Sequence, residues 1–310
     1  MTKSHENILV IKLSALGDFF QALGPMKAIK QHHPDAKITL MTTKSFEMLA
    51  LKCGYFNDII IDEKPKIYQI GKWLNLRKKL VNNGYDRVYD LQNNDRTSFY
   101  FNLFKKSNRP EWVGAAKGAS HCNDSPDRTS SNAFEGHKQT LSLAGINNVD
   151  TDTLEWMSSD LSKFDLPDDF AIFIPGSSPL HPEKRWPAKY YIELSKWLSD
   201  QSITPVIIGG PAEAETNSEI AKSNDNIIDL TGKTDLFDIA ELGRQSKYTI
   251  GNDTGPLHII SLTNCKTICL YCLKKSNPLK HTPLGKNTVT VEENDLNDVN
   301  LERVTDILSK

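Results

Sequence analysis

Three short stretches of the chain bring acidic, basic or hydroxyl side chains together with glycine where a strand would give way to a helix. The first is Lys12-Leu13-Ser14-Ala15-Leu16-Gly17-Asp18. In open α/β sheets, ligands bind beyond the carboxyl ends of the strands. The first turn of the following helix offers unpaired backbone N–H groups to an anion. Gly17 permits close approach, and Asp18 suits a general base facing a cleft. The same Asp18 suits the plain role of helix N-cap, and the motif alone leaves both readings open.

The second stretch runs from Pro175 to Pro187, Pro-Gly-Ser-Ser-Pro-Leu-His-Pro-Glu-Lys-Arg-Trp-Pro. Gly176, Ser177 and Ser178 supply a tight turn with hydroxyl and N–H donors, and Lys184 and Arg185 add positive charge beside it. Such a loop suits a diphosphate; the alternative is a solvated basic loop. The third stretch is Ile250-Gly251-Asn252-Asp253-Thr254-Gly255-Pro256-Leu257-His258. Asp253 or Thr254 can cap a helix, and the N–H groups of Thr254 and Gly255 would then face a phosphate, with His258 one turn on. A capped helix with a buried histidine fits the same letters. Gly209-Gly210-Pro211-Ala212-Glu213 adds a glutamate able to accept from ribose hydroxyls, and Thr231-Gly232-Lys233-Thr234 precedes another helix. No Gly-x-Gly-x-x-Gly follows the first strand, and neither a P-loop nor a Gly-x-Ser-x-Gly or His-Glu-x-x-His motif occurs, which disfavours the chemistries they serve.

The elements that must position these residues alternate in type. Strands are expected at Ile8–Leu13, Lys37–Met41, Asp58–Ile61 and Arg87–Asp90, with helices at Phe19–His33, Phe46–Cys53 and Tyr68–Val81. From 93 to 136 the rhythm gives way to a polar, irregular stretch, of a length usually functional or mobile. A second series starts at Phe170, with strands at Ala171–Ile174, Pro205–Ile208, Asn226–Ile228, Tyr248–Ile250 and Thr267–Tyr271 between helices, and a last helix at Val299–Leu308. This order predicts two doubly wound parallel sheets, joined near the polar Ser158–Asp168.

The chain has 310 residues, enough for two ordinary domains. With 38% hydrophobic and 25% charged residues it reads as a soluble globular protein, and a net charge of −2 gives no general attraction to nucleic acid. No run reaches the ~18 apolar residues of a membrane-spanning helix, and no signal peptide is expected. Five cysteines, an odd number, fit the reducing cytoplasm. Cys265, Cys269 and Cys272 lack a fourth ligand at zinc-site spacing, so buried thiols and no metal site are expected.

The ordered set Leu16-Gly17-Asp18-Phe19, Asp90-Leu91-Gln92, Pro175-Gly176-Ser177, Lys184-Arg185-Trp186-Pro187, Gly209-Gly210 and Asn252-Asp253-Thr254-Gly255-Pro256-Leu257-His258 resembles glycosyltransferase family 9, the heptosyltransferases. The resemblance implies a GT-B fold: two Rossmann-like doubly wound domains facing a central cleft, residues 1–160 binding the acceptor and 166–310 the nucleotide sugar, with the last helix free to pack back on the first domain. It implies inverting transfer of a heptose from ADP-heptose to a lipid-linked inner-core acceptor of the lipid A–Kdo type. It makes Asp18 the base, Lys184 the diphosphate and leaving-group clamp, and Gly176, Ser177, Ser178, Glu213, Asp253, Thr254, Gly255 and His258 donor contacts. No cofactor or metal is required, because lysine and backbone amides do that work. One departure is that the strand after His258 runs into Tyr271-Cys272-Leu273-Lys274-Lys275-Ser276, where the family has Gly-Pro-Thr or similar; another is the Pro-Leu-His-Pro spacer before Lys184.

For the acceptor, the irregular segment offers Arg96, Arg109, Lys117, His121 and Arg128, either as contacts to an anionic headgroup or as a solvated basic loop. Lys27, Lys30 and Arg77-Lys78-Lys79 suit peripheral contact with the inner face of the inner membrane. The alternatives are another nucleotide sugar, a non-catalytic nucleotide-binding relative, and a related epimerase or phosphorylase.

Overall fold

The computed structural model describes residues 6–177 and 181–310. The chain divides into two compact units, Met1–Asp152 and Thr153–Lys310. The first unit contains β1 (Asn7–Ile11), α1 (Leu16–His32), β2 (Lys37–Thr42), α2 (Glu47–Lys52), β3 (Asp58–Ile61), α3 (Ile70–Val81), β4 (Arg87–Asp90), α4 (Asp95–Phe101), β5 (Glu111–Gly114), β6 (His121–Cys122) and α5 (Ala133–Ser142). Its six strands form one parallel sheet in the order β3-β2-β1-β4-β5-β6. β1 is buried along Ile8–Ile11, as expected of a central strand covered on both faces.

The second unit contains β7 (Phe170–Ile174), α6 (Ala188–Ser199), β8 (Thr204–Ile207), α7 (Ala214–Ala221), β9 (Ile228–Asp229), α8 (Leu236–Gln245), β10 (Tyr248–Asn252), α9 (Gly255–Ser261), β11 (Lys266–Cys272), α10 (Pro278–His281), β12 (Thr288–Glu293) and α11 (Leu301–Leu308). Its parallel sheet runs β12-β11-β10-β7-β8-β9. In both units the chain winds outward from the first strand and then returns to its other side. The switch points lie between β1 and β4 and between β7 and β10, where such sheets open a crevice at their carboxyl ends.

Three differences from the sequence reading have plain causes. The stretch from 93 to 136 is not irregular: it holds α4, β5 and β6 and enters α5. β5 and β6, four and two residues long, do not stand out from the polar residues around them, yet they complete the sheet. Helix α1 begins at Leu16, so Asp18 is its third residue rather than its N-cap. The sequence reading also omits α10 and β12. Helix α11 buries Val304 and Leu308 in the core of the second unit, with Trp186, Leu194 and Val291. The segment leading into β7 is tied to the same unit: Arg244 Nη2 donates to Leu154 O (2.9 Å), and Asp238 accepts from Ser159 Oγ (2.5 Å) and Lys163 Nζ (2.7 Å).

Helix α1 is buried almost all round, from Phe19 through Met26. The chain near Asp150 crosses it at Gly24, where an added Cβ would lie 2.0 Å from the Asp150 carbonyl oxygen. A backbone oxygen cannot swing aside as a side chain can. Gly24→Ala is therefore expected to destabilise the first unit by about 1–3 kcal/mol, read as an earlier denaturant midpoint. An unchanged midpoint would mean that this crossing yields.

Candidate functional site

In the second unit the sheet register brings the ends of β7 and β10 side by side, with Gly251 opposite Ile174. Asn252, the last residue of β10, is fully buried. Its Nδ2 donates to Pro175 O (2.7 Å) and Gly176 O (3.3 Å), and its Oδ1 accepts from Trp186 N (3.0 Å). A buried amide is costly unless bonded; here it joins the loop after β7, the Lys-Arg-Trp segment and the end of β10. Trp186 is itself buried, donates Nε1 to Val299 O (2.8 Å) and packs against Tyr191.

That scaffold sets Lys184 against Asp253. Lys184 Nζ donates to Asp253 Oδ2 (3.2 Å), Ser276 Oγ donates to the same oxygen (2.5 Å), and His258 Nε2 lies 3.7 Å from Oδ1. Ser276 in turn meets His281 Nδ1 at 3.2 Å. Burial pushes the Asp253 carboxyl up, but His258, Ser276 and the Lys184 charge outweigh it and hold it at about 2. The cluster is mostly buried, with the Lys184 and Asp253 side chains 16% and 9% exposed, so its charges are weakly screened. His258 Nδ1 is buried with no hydrogen-bond partner among the described residues.

Other expected donor contacts meet at the same mouth. Gly176 lies under Glu213: an added Cβ would sit 2.5 Å from Glu213 Cγ. Glu213 Oε2 accepts from Gly210 N (2.7 Å). The Ser177 hydroxyl donates to His181 O (3.0 Å), and Arg185 reaches Ser177 through Nε and Nη2, so both groups brace the loop. Ser178 lies outside the described residues. Thr254 stands at the N-cap of α9 without a side-chain capping bond, and Asp253 spends its carboxylate on the ionic cluster; neither caps α9 as the sequence reading allowed. Ser276 and His281 were not singled out as site residues. Only the departure at Tyr271–Ser276 hinted at them.

In the first unit Asp18 is partly exposed at the start of α1 and accepts from Ala15 N (3.3 Å). Gln92 Oε1, beyond β4, accepts from Leu13 N (2.8 Å) and Ser14 N (3.1 Å), fixing the loop that carries Asp18. Beneath it, Lys12 and Asp90 are buried. Burial lowers Lys12 to about 8 against the opposing pull of Asp18 and Asp90, and raises Asp90 to about 6 despite N–H donation from Asn93 and Gln92. Arg128 Nη1 reaches Asn93 O (3.4 Å), and Arg96 donates to Tyr100 OH (3.1 Å) and Pro65 O (3.3 Å), so both stand at the carboxyl end of this sheet. Arg109 does not join them. It precedes β5, at the opposite edge, and lies over the Phe101 ring at 3.8 Å.

Among the described residues no group of three or more His, Cys, Asp or Glu side chains is arranged to hold a metal ion, and no helix is long and apolar enough to cross a membrane. Cys265, just before β11, and Cys269 and Cys272 within it are buried free thiols.

Residues 73–308 match the model of glycosyltransferase family 9 (heptosyltransferase). The chain is 23% identical to the lipopolysaccharide core heptosyltransferase OpsX of Haemophilus influenzae, over 94% of this chain and 86% of that protein. A glycosyltransferase family 9 structure from Veillonella parvula superposes with a TM-score of 0.83 at 20% identity, covering 100% of this chain and 99% of the other. The E. coli heptosyltransferase WaaC with ADP-2-deoxy-2-fluoro heptose superposes at 0.76 with 19% identity, covering 98% and 99%. These likenesses show the fold: two Rossmann-like domains of the GT-B type.

The Asp253 carboxyl has a consequence for stability. Its value in the folded chain is below the ordinary carboxylate range, so its contribution is present above about pH 4 and lost as pH falls toward 2. That contribution is about 2 kcal/mol. Acid titration of the second unit's unfolding is expected to show this loss, and Asp253→Asn to flatten it. A variant as steeply acid-sensitive as the wild type would place the loss elsewhere.

Proposed function

The chain belongs to glycosyltransferase family 9, the heptosyltransferases, and on that basis we propose that it moves a heptose from ADP-heptose to a lipopolysaccharide inner-core acceptor of the lipid A–Kdo type, with inversion at the anomeric carbon. The observation that carries the donor half of this reading is the Lys184–Asp253–His258 cluster at the β7–β10 switch point.

In the proposed reaction Asp18 takes the proton of the acceptor hydroxyl. The freed oxygen pair attacks the anomeric carbon on the face opposite ADP, the bond from that carbon to the diphosphate oxygen breaks, and inversion follows. Negative charge develops on the departing diphosphate. Lys184 has three N–H donors and spends one on Asp253, which leaves two for the diphosphate. Positive charge held in a poorly hydrated mouth before reaction stabilises that developing charge without reorganisation. Asp253, pinned by Ser276, keeps Lys184 in place; the amides of Thr254 and Gly255, the backbone of Gly176 and Ser177, and Ser178 serve the phosphates, with His258 beside them. Glu213 accepts from ribose hydroxyls. Arg96 and Arg128 meet the anionic acceptor. This chemistry uses no cofactor and no resident metal, and it suits a cytoplasmic enzyme working at the inner face of the inner membrane. The relative bound to an ADP-heptose analogue supports ADP as the nucleotide.

Calorimetry with ADP, UDP, GDP and CDP, with and without magnesium, tests the donor. Selective ADP binding, unchanged by magnesium, is expected; preference for another base would move the donor to a different nucleotide sugar. Lys184→Ala is expected to weaken ADP binding by about 10–100-fold, the loss of a charge-assisted hydrogen bond. Asp18→Asn should leave ADP binding intact and lower transfer by about 10²–10⁴-fold. Full transfer by Asp18→Asn would reduce Asp18 to a bracing residue at the start of α1.

A further inference from the structure

One face of the first unit reverses the usual helix pattern. Helix α3 buries Leu76 and Leu80 in the core, but it also presents Ile70 (69% exposed) and Leu74 (62%) to solvent. The loop before it exposes Ile67 (93%) and Tyr68 (73%), and Phe99 of α4 is 48% exposed. Five of the eleven exposed large apolar side chains among the described residues therefore gather here. Ile67 and Phe99 line a groove of about 510 Å³ with Trp73, Asp95 and Arg96, and Trp73 packs edge-on against Phe99 at 5.1 Å; Ile70 and Leu74, four residues apart, share a face of α3 in the same segment. Contiguous exposed apolar surface of this kind marks an interaction site.

Its rim is cationic. Residues 63–81 carry six basic side chains, Lys64, Lys66, Lys72, Arg77, Lys78 and Lys79, against the single acid Glu63. Glu63 is paired with Lys72 (2.8 Å), and Arg77 Nε is turned to Leu103 O (3.0 Å), which leaves Lys64, Lys66, Lys78 and Lys79 exposed. Lys78 continues the Ile70–Leu74 stripe at i+4. Among the described residues Asp95 is the one carboxylate on the groove wall, beside Arg96. The sequence-based alternative on α1 lacks this character: Lys27 and Lys30 are half-buried, and Lys30 Nζ is bonded to Pro34 O (3.1 Å).

We infer that the Ile67–Leu74 face of the first unit docks on an anionic lipid bilayer, with Ile67, Tyr68, Ile70 and Leu74 entering the interface and the surrounding lysines meeting the headgroups. An apolar centre with an amphipathic aromatic ring and a lysine rim is the composition of an interfacial anchor. A second copy of the chain is a poor occupant, because two-fold pairing would set each lysine rim against its like. The inference deepens the lipid-acceptor reading by naming the surface, and its readout needs neither donor nor acceptor, so each can fail alone.

The test is co-sedimentation of the whole chain with vesicles of phosphatidylcholine and phosphatidylglycerol, against phosphatidylcholine alone, at low and high salt. The wild type is expected to partition onto the mixed vesicles and to be released by salt. Lys64→Gln with Lys66→Gln should weaken partitioning about fivefold per lysine. Ile67→Ser with Ile70→Ser and Leu74→Ser should weaken it about tenfold or more. These side chains are solvent-exposed, so the variants should keep wild-type melting and wild-type ADP binding in the second unit. The inference is overturned if the wild type ignores the mixed vesicles, or if the serine variant binds them equally well. A wild-type dimer in sedimentation velocity that the serine variant loses, without vesicle binding, would assign the face to a second copy instead.

Discussion

The amide of Asn252 is the interaction on which the donor half of the molecule depends. It stands at the end of a central strand, where burial is complete and an unbonded polar group would be costly. Its three bonds, to Pro175 O, Gly176 O and Trp186 N, leave the three segments around it little freedom. Lys184 is two residues from one of those bonds and Asp253 is the next residue after the amide itself. Their meeting at 3.2 Å follows from the backbone that Asn252 arranges, and the Lys184–Asp253 pair completes the arrangement without creating it.

The first unit solves the equivalent problem with a different amide. Gln92 reaches across from β4 to hold the N–H groups of Leu13 and Ser14, so the loop bearing Asp18 is fixed to the neighbouring strand. In both units a side-chain amide, neutral and two-sided, spans the gap at the switch point. A charge could not do this as cheaply in the interior. Lys12 and Asp90, which lie beneath the first loop, show the cost, since burial draws both toward neutrality.

Most of the architecture was legible in the sequence because apolar strand runs alternate with helix-length segments through both halves; β12 escaped because it is a half-exposed edge strand whose Thr-Val-Thr-Val-Glu-Glu carries no apolar run. The reading failed between 93 and 136, where β5 and β6 are four and two residues long and owe their form to the strands beside them. The donor motifs were legible because Gly, Asp and Lys cluster at strand ends. What those letters did not contain was the division of labour among them. Asn252 read as one letter of a motif, yet it is the organiser; Ser177 read as a phosphate contact, yet its hydroxyl is bonded to His181 O. Ser276 and His281 come from a loop after the next strand, and only tertiary structure brings them to Asp253. The exposed face of α3 was hidden for a related reason: Ile70 and Leu74 look like core residues until the helix is seen to have its core side at Leu76 and Leu80.

Trp186 also sets an order in time. Its indole N–H is bonded to the carbonyl of Val299, and its ring packs in the same core as α11. A nascent chain that has left the ribosome only as far as β11 already carries Lys184, Asp253 and His258, but not the acceptor that seats Trp186. The Asn252 bonds can therefore form first, but the Trp186 side chain gains its indole anchor only when the chain has been made past Val299, and until then the loop bearing Lys184 is held by its backbone alone.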